Sequence, residues 1–257
     1  MDRLKNTLLE LLALPGPSGA EGQVAAYVMG KLEELQMKAE RDDFGNVLAQ
    51  AALGDGPTVL LSAHMDTADD FEPGRRIVWH GQTIRSSAGI LGADDRAGIA
   101  ILLETLHRVR RAELCGTIKV AFTCAEEIGR VGSQHIAPEW LDGIDMAVVA
   151  DRRNRRDIVT SCWRMPFCPA NTGTFWEETA RLIGQSGWTT CQGGISDALT
   201  YAEYGIPSVN LSCGYQHEHT ADEELYWPSV VDTTRLITAG LRRCMGVTSP
   251  VRRMLYT

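Results

Sequence analysis

The feature that most constrains this chain is a set of short apolar runs, several of which break off at a polar residue. "GNVLAQAAL", "TVLLSAH", "TIKVAFTCA", "DMAVVAD" and "PSVNLS" are rich in β-branched residues, which predicts strands. Between them, apolar residues recur at helical spacing near 95–111, 174–185, 197–204 and 229–245. The chain opens on two more such stretches, 3–14 and 21–37, split by the breaker-rich "PGPSG". Strands alternating with helices imply a sheet covered on both faces. The expected class is α/β, a three-layer α/β/α fold with a central mixed, mostly parallel sheet. No repeat, low-complexity tract or linker interrupts it.

Composition narrows the partners. A net charge of -8 disfavours non-specific binding to nucleic acid or anionic lipid, and the short "DRRNRR" at 151–156 is the only basic cluster. No stretch reaches the roughly 18 apolar residues of a membrane span. The opening segment carries Asp2 and Glu10 among its leucines and reads as a helix, not a signal peptide. Seven cysteines without any CxxC pair read as free or buried thiols, so a cytoplasmic location is expected.

In open α/β sheets, sites form where strands end, so polar residues that close apolar strands are expected to converge there. His64 and Asp66 close "TVLLSAHMD", Glu126 and Glu127 follow "VAFTCA", and Asp151 closes "MAVVAD". Asp94 and Asp95 stand in "ILGADDRAG" before a helical stretch, while His217 and His219 stand in "SCGYQHEHTADE" after the strand near 206–211. A single histidine of this kind is more often a core or surface residue. The accumulation of acids changes the weighing, because unpaired carboxylates sharing a pocket repel one another.

Arg96 and the 152–156 cluster are the main nearby cations, so divalent metals are the better source of positive charge. Mixed imidazole and carboxylate ligation suits zinc first, then cobalt or manganese, whereas magnesium and calcium favour oxygen alone. Two metals sharing one carboxylate need about five protein ligands, the number that His64, Asp94, Glu127, Asp151 and His219 provide. Three carboxylates against two divalent ions leave one positive charge for a bridging hydroxide to neutralise. The HxD pair suits a metal-ligating imidazole whose second nitrogen is fixed by Asp66.

That arithmetic leaves Glu126 over. Adjacent residues on a strand point to opposite faces, so Glu126 and Glu127 are expected to take different roles. Glu127 would bind metal, while Glu126 would act as general base on the water and pass the proton to a leaving amine. The competing reading of the pair is a solvated turn or the acidic first turn of a helix.

"LSAHMDT", "LGADDRAGIA", "CAEEIGRVGS", "AVVAD", "GGISDA" and "YQHEHTADE", in this order, resemble the co-catalytic dizinc peptidases. The chain is most similar to peptidase T-like aminopeptidases and, in "ADDRAG" and "EEIGRVGS", to the tetrahedral (glutamyl) aminopeptidases. The resemblance implies the zinc-dependent exopeptidase fold and two divalent ions. It puts His64 and Asp151 on one ion, Glu127 and His219 on the other, Asp94 between them, Asp66 behind His64 and Glu126 as base. It also implies a cis peptide bond between Asp94 and Asp95, and its "HTxxE" pattern favours His219 over His217. In "GGISDA" the glycines suggest close backbone approach. There Ser196 or Asp197 would stand behind the ligands or in a substrate pocket, or Asp197 would simply begin a helix.

Peptidase T-like enzymes insert a lid or dimerisation domain between the aspartate ligand and the Gly-Gly motif, where this chain has only residues 152–192. Residues 1–257 are therefore expected to form a single catalytic domain without that insertion. No substrate-binding residue is assigned. Trp163, Phe167, Trp176 and Trp188 are candidates for a pocket wall or for core packing, and the 152–156 arginines for a substrate carboxylate or a solvated turn. The expected activity is metal-dependent hydrolysis of a peptide bond near a free N-terminus, on a short peptide or aminoacyl substrate. An amidohydrolase that deacylates N-acyl amino acids is the alternative, with a non-catalytic binding protein behind it. With the lid missing, lid-mediated dimerisation is not expected, and a homo-oligomer through other surfaces is left open.

Overall fold

The computed structural model of this chain describes residues 2–246. In order these form α1 (Asp2–Ala13), α2 (Gly22–Glu34), β1 (Ala39–Arg41), β2 (Val47–Ala52), β3 (Thr58–His64), β4 (Ile77–His80), β5 (Thr83–Ser86) and α3 (Ala93–Val109). Next come β6 (Thr117–Thr123), α4 (Val131–His135), α5 (Pro138–Leu141), β7 (Met146–Arg152), β8 (Asp157–Cys162), β9 (Met165–Pro166) and α6 (Ala170–Leu182). The remainder is β10 (Thr189–Gly193), α7 (Asp197–Glu203), β11 (Ser208–Ser212), β12 (Tyr215–Gln216), β13 (Glu224–Tyr226) and α8 (Trp227–Met245).

The main sheet has nine strands in the order β1-β2-β6-β3-β7-β11-β8-β10, with β9 on β8. Its centre, β6-β3-β7-β11, is parallel, and the flanks β1-β2-β6 and β11-β8 are antiparallel. Alternation along the strands sends side chains to two cores. Val59, Leu61 and Ala63 join the larger core beneath α1, α2, α3, α6 and α8, whereas Leu60 faces the smaller core beneath α5 and α7. This is the three-layer arrangement that the alternating pattern predicts.

A second, four-stranded sheet, β12-β13-β5-β4, was not foreseen. Its strands are short, and in β4 no residue is fully buried, so little alternation is legible in the sequence. Residues 152–192 likewise contribute β8, β9, α6 and most of β10, all joined to the main sheet or packed on it. Of the four aromatic candidates in and around that segment, Phe167, Trp176 and Trp188 are core residues, and Trp163 is 72% exposed.

One glycine fixes how the site-bearing helix sits. A Cβ at Gly98 would fall 1.9 Å from the carbonyl oxygen of Ala150, so only glycine lets α3 lie this close to β7. That contact brings the start of α3, with Asp94, up against Asp151. Asp95 caps the regular part of the helix, its Oδ1 accepting from Gly98 N at 3.0 Å. No helix among the described residues is long and apolar enough to cross a membrane.

Candidate metal centre

The polar residues that close the parallel strands meet at one end of the sheet. His64 ends β3, Asp151 lies near the end of β7, and Glu126 and Glu127 follow β6. His219 lies on the loop between β12 and β13, and Asp94 stands at the entry to α3. The Asp94–Asp95 peptide bond is cis, as the family resemblance implies.

Two ligand-type clusters share Asp94. His64, Asp94 and Asp151 offer ligand atoms within 4.8 Å of one another, as do Asp94, Glu127 and His219. His64 Nε2 is 3.0 Å from Asp94 Oδ1 and 3.6 Å from Asp151 Oδ1. On the other side, His219 Nε2 is 3.2 Å from Asp94 Oδ2 and 2.9 Å from Glu127 Oε2. His217, the competing histidine, is exposed and belongs to neither cluster.

The adjacent glutamates do not sit on a strand. β6 stops at Thr123, and Ala125, at φ 53°, turns the chain through the left-handed region before the pair. Glu126 N and Glu127 N then both donate to the Asp66 carboxylate, at 3.0 and 3.1 Å. Asp66 also faces His64 Nδ1 at 3.2 Å and accepts from Ser18 Oγ at 2.7 Å. One buried carboxylate therefore sets the orientation of the imidazole and of both glutamate backbones. The split between the glutamates comes from this turn, and strand alternation, the expected cause, does not produce it. Glu127 enters the second cluster, whereas Glu126 lines the same pocket outside both.

The electrostatics are those of a site short of positive charge. Burial opposes ionisation at Asp66, yet hydrogen bonds from His64, Ser18 and the Glu126 backbone hold it down at about 2. Burial raises Asp151 to about 7, with Asp94 adding to the rise while His64 and Tyr215 oppose it. Burial also pushes Glu126 well above the ordinary range, reinforced by Asp151, Asp197 and Asp94. At His64, burial works against the imidazolium, but hydrogen bonds to Asp151, Asp66 and Asp94 raise its pKa well above normal. Cations placed among these groups would reverse the cost of ionising them. The donor set fits such ions: Glu127 Oε1 is buried without a hydrogen-bond partner, and two clusters of mixed nitrogen and oxygen ligands stand ready.

Several supporting residues escaped the sequence reading. Glu223 accepts from Gly92 N and Asp94 N at 2.8 and 3.1 Å and so braces the loop that carries Asp94; burial lifts its pKa to about 7. It is the last residue of "HTADE", and that motif was the available signal. Tyr215 OH donates to Asp151 Oδ1 at 2.9 Å, and the Asn210 side chain pairs with both backbone groups of Asp151. In "GGISDA", Gly193 is tight, since a Cβ would lie 2.5 Å from Val159, but Gly194 is open. Ser196 Oγ accepts from Asn210 Nδ2 at 3.0 Å, and Asp197 begins α7 while accepting from Thr123 Oγ1 at 2.6 Å behind the pocket.

A three-layer α/β sheet with two ligand-type clusters at the carboxyl ends of its parallel strands has the layout of a metallohydrolase. The model of Peptidase family M28 matches residues 46–247, and the chain belongs to that family. The chain is similar to the cytosol non-specific dipeptidase of Escherichia coli K12, 29% identical over 60% of this chain and 34% of that protein. It thus spans about a third of the length of that curated relative. Among solved structures it resembles aminopeptidase PepT from Bacillus cereus, with a TM-score of 0.80 at 19% identity, covering 93% of this chain and 97% of that one. Pyrococcus horikoshii TET1 peptidase, which can assemble into a tetrahedron or a large octahedral shell, gives a TM-score of 0.74 at 15% identity over 93% and 99% of the chains. The expected kinship with peptidase T-like and tetrahedral aminopeptidases is borne out, as is the mixed-sheet α/β fold.

Proposed function

We propose that this protein hydrolyses peptide bonds next to a free N-terminus, as an aminopeptidase or di- or tripeptidase. The observation that carries the reading is the separation at the glutamate pair: Glu127 joins the cluster with Asp94 and His219, and Glu126 lines the same pocket outside both clusters. His64 and Asp151 would hold one divalent ion, Glu127 and His219 the other, and Asp94 both. Zinc is the best match to the donors, with cobalt or manganese behind it. Ions held there supply Lewis-acid polarisation of a carbonyl and make water acidic enough to attack at neutral pH.

The remaining chemistry belongs to the chain. Glu126 takes the proton from the attacking water and delivers it to the departing amine. Asp66 fixes the His64 tautomer and, through the two backbone N–H groups, the distance between Glu126 and the ligands. The pocket is about 210 Å³, below the range of about 300–1,000 Å³ of drug-sized sites, which supports short substrates. We read the described residues as one catalytic unit, with no separate lid between Asp151 and Gly193. All seven cysteines are free, which supports a reducing compartment such as the cytoplasm.

The test is a zinc-loaded preparation offered aminoacyl amides, dipeptides and N-acyl amino acids. We expect turnover of the free-amine substrates and two metals per chain by elemental analysis. Activity confined to N-blocked substrates would replace this reading with the deacylase, and a chain that binds fewer than two ions would undo the mechanism.

A further inference from the structure

The basic run at 151–156 divides into arginines with different surroundings. Arg152 Nε donates to Asp157 Oδ2 at 3.1 Å, the Arg155 guanidinium lies 3.9 Å from the Tyr226 ring centre, and Arg156 Nη2 reaches Asp232 Oδ2 at 3.2 Å. Arg153 differs from the others. Its Nη1 pairs with Glu218 Oε1 at 3.1 Å, its side chain is 53% exposed, and both partners line the metal pocket.

The pair is incomplete on both sides. Glu218 Oε2 is buried and has no hydrogen-bond partner, and beyond Glu218 the Arg153 side chain has none among the described residues. A guanidinium offers several N–H donors in a planar fork that matches a carboxylate, so one ion pair leaves most of them available. Of the lining, Asp94, Glu127, Asp151 and His219 are committed to the ions on the reading above, and of the two arginines beside them Arg153 is the more exposed, so it is the protein cation placed to meet an incoming carboxylate.

Position on the chain sets this pair beside the ligand clusters. Arg153 is two residues past Asp151, and Glu218 is one residue before His219, so each is tied by backbone to one of the two ligand clusters. Both members also line the pocket that contains the two clusters, so a group anchored at the pair shares that pocket with the ligand atoms. A free peptide C-terminus presents the complementary group, carboxylate oxygens for the unpaired donors of the guanidinium.

We propose that the Arg153–Glu218 pair on the pocket wall selects short peptides by their free C-terminal carboxylate, with Arg153 binding it and Glu218 holding the guanidinium in place. This makes di- and tripeptides the preferred class. The assignment rests on the peptidase reading above, and the experiment separates the two.

The measurement is kcat/KM of the zinc-loaded protein for a dipeptide and for the same dipeptide as its C-terminal amide. A charge-assisted carboxylate contact predicts a preference of about tenfold or more for the free acid, carried in KM. Arg153→Met should bring the ratio to near one, and Arg153→Lys should keep part of it. Glu218→Gln should raise KM for the free acid with kcat retained. Calorimetry with a reduced-bond dipeptide and its amide reads the same preference without turnover. Equal affinity for acid and amide in the wild type, or a preference that survives in Arg153→Met, overturns the assignment whatever the turnover. If neither substrate is cleaved after zinc loading, the peptidase reading fails, and calorimetry still decides whether Arg153 reads a carboxylate.

Discussion

Helix α3 carries buried carboxylates at two places, and they are neutralised in opposite ways. Glu104, on α3, is 4% exposed and takes Arg108 Nε at 2.7 Å on one oxygen and Arg3 Nε at 2.8 Å on the other. Burial opposes its ionisation, but the two arginines prevail and lower its pKa. At the entry to the same helix, Asp94 shares a pocket with Glu126, Glu127 and Asp151, and its hydrogen-bond partners there are the imidazoles His64 and His219. A helix that recruits arginines for one buried acid leaves the others without any. Charge left open inside a fold is room kept for cations that come from outside.

The comparison breaks if the open cluster behaves like the closed one. The largest expected effect is at Glu126. Glu126→Gln should lower kcat by about 10²–10⁴-fold while two metals stay bound, measured by steady-state kinetics beside elemental analysis. Retained turnover would mean that Glu126 is not the base. Next in size is the response to metal. Zinc added to metal-free protein should raise its stability by about 2.7 kcal/mol per site at a hundredfold excess over Kd, read by thermal melting, and Asp94→Asn should abolish most of the gain because it belongs to both clusters.

The closed cluster should ignore zinc and respond to acid. The folded-state pKa of Glu104 lies below its unfolded value, so its stabilisation is complete above the ordinary glutamate pKa and fades as pH falls through the lower, folded value. Glu104→Gln should cost about 1–2 kcal/mol at neutral pH, and that difference should shrink in acid, as measured by denaturant titration at several pH values. The smallest effect is expected for Arg3→Ala, about 0.5 kcal/mol, since Arg3 is half exposed and Arg108 remains on the carboxylate. A larger loss would show that the two arginines are not interchangeable partners.

What the sequence made legible follows the same division between open and closed surroundings. β3, β6, β7 and β11 announce themselves because both their faces are buried, and the polar residues at their ends stand out against that background. Five of the seven residues given a role, His64, Asp94, Glu127, Asp151 and His219, fall into the two clusters, with Asp66 behind them and Glu126 beside them. Edge strands such as β10, half exposed and polar, carry no such contrast. Nor do the residues that brace the site. Ser18 lies 48 positions from Asp66, and Tyr215 lies 64 from Asp151, so only the folded chain brings them together. The choice between His217 and His219 depends on one tight loop in which both residues take positive φ, at 56° and 64°.

The single carboxylate of Asp66 has a consequence for anyone who would redesign this protein. Because it holds His64 and the backbone of Glu126 and Glu127 together, the proposed mechanism implies that ligand placement and proton transfer would not be separately adjustable. On that mechanism, variants that move His64 would move Glu126 with it, and screens that select on one trait would report changes in both. Useful diversity is better sought at Tyr215 and Asn210, each of which bonds to Asp151 and so to one cluster alone.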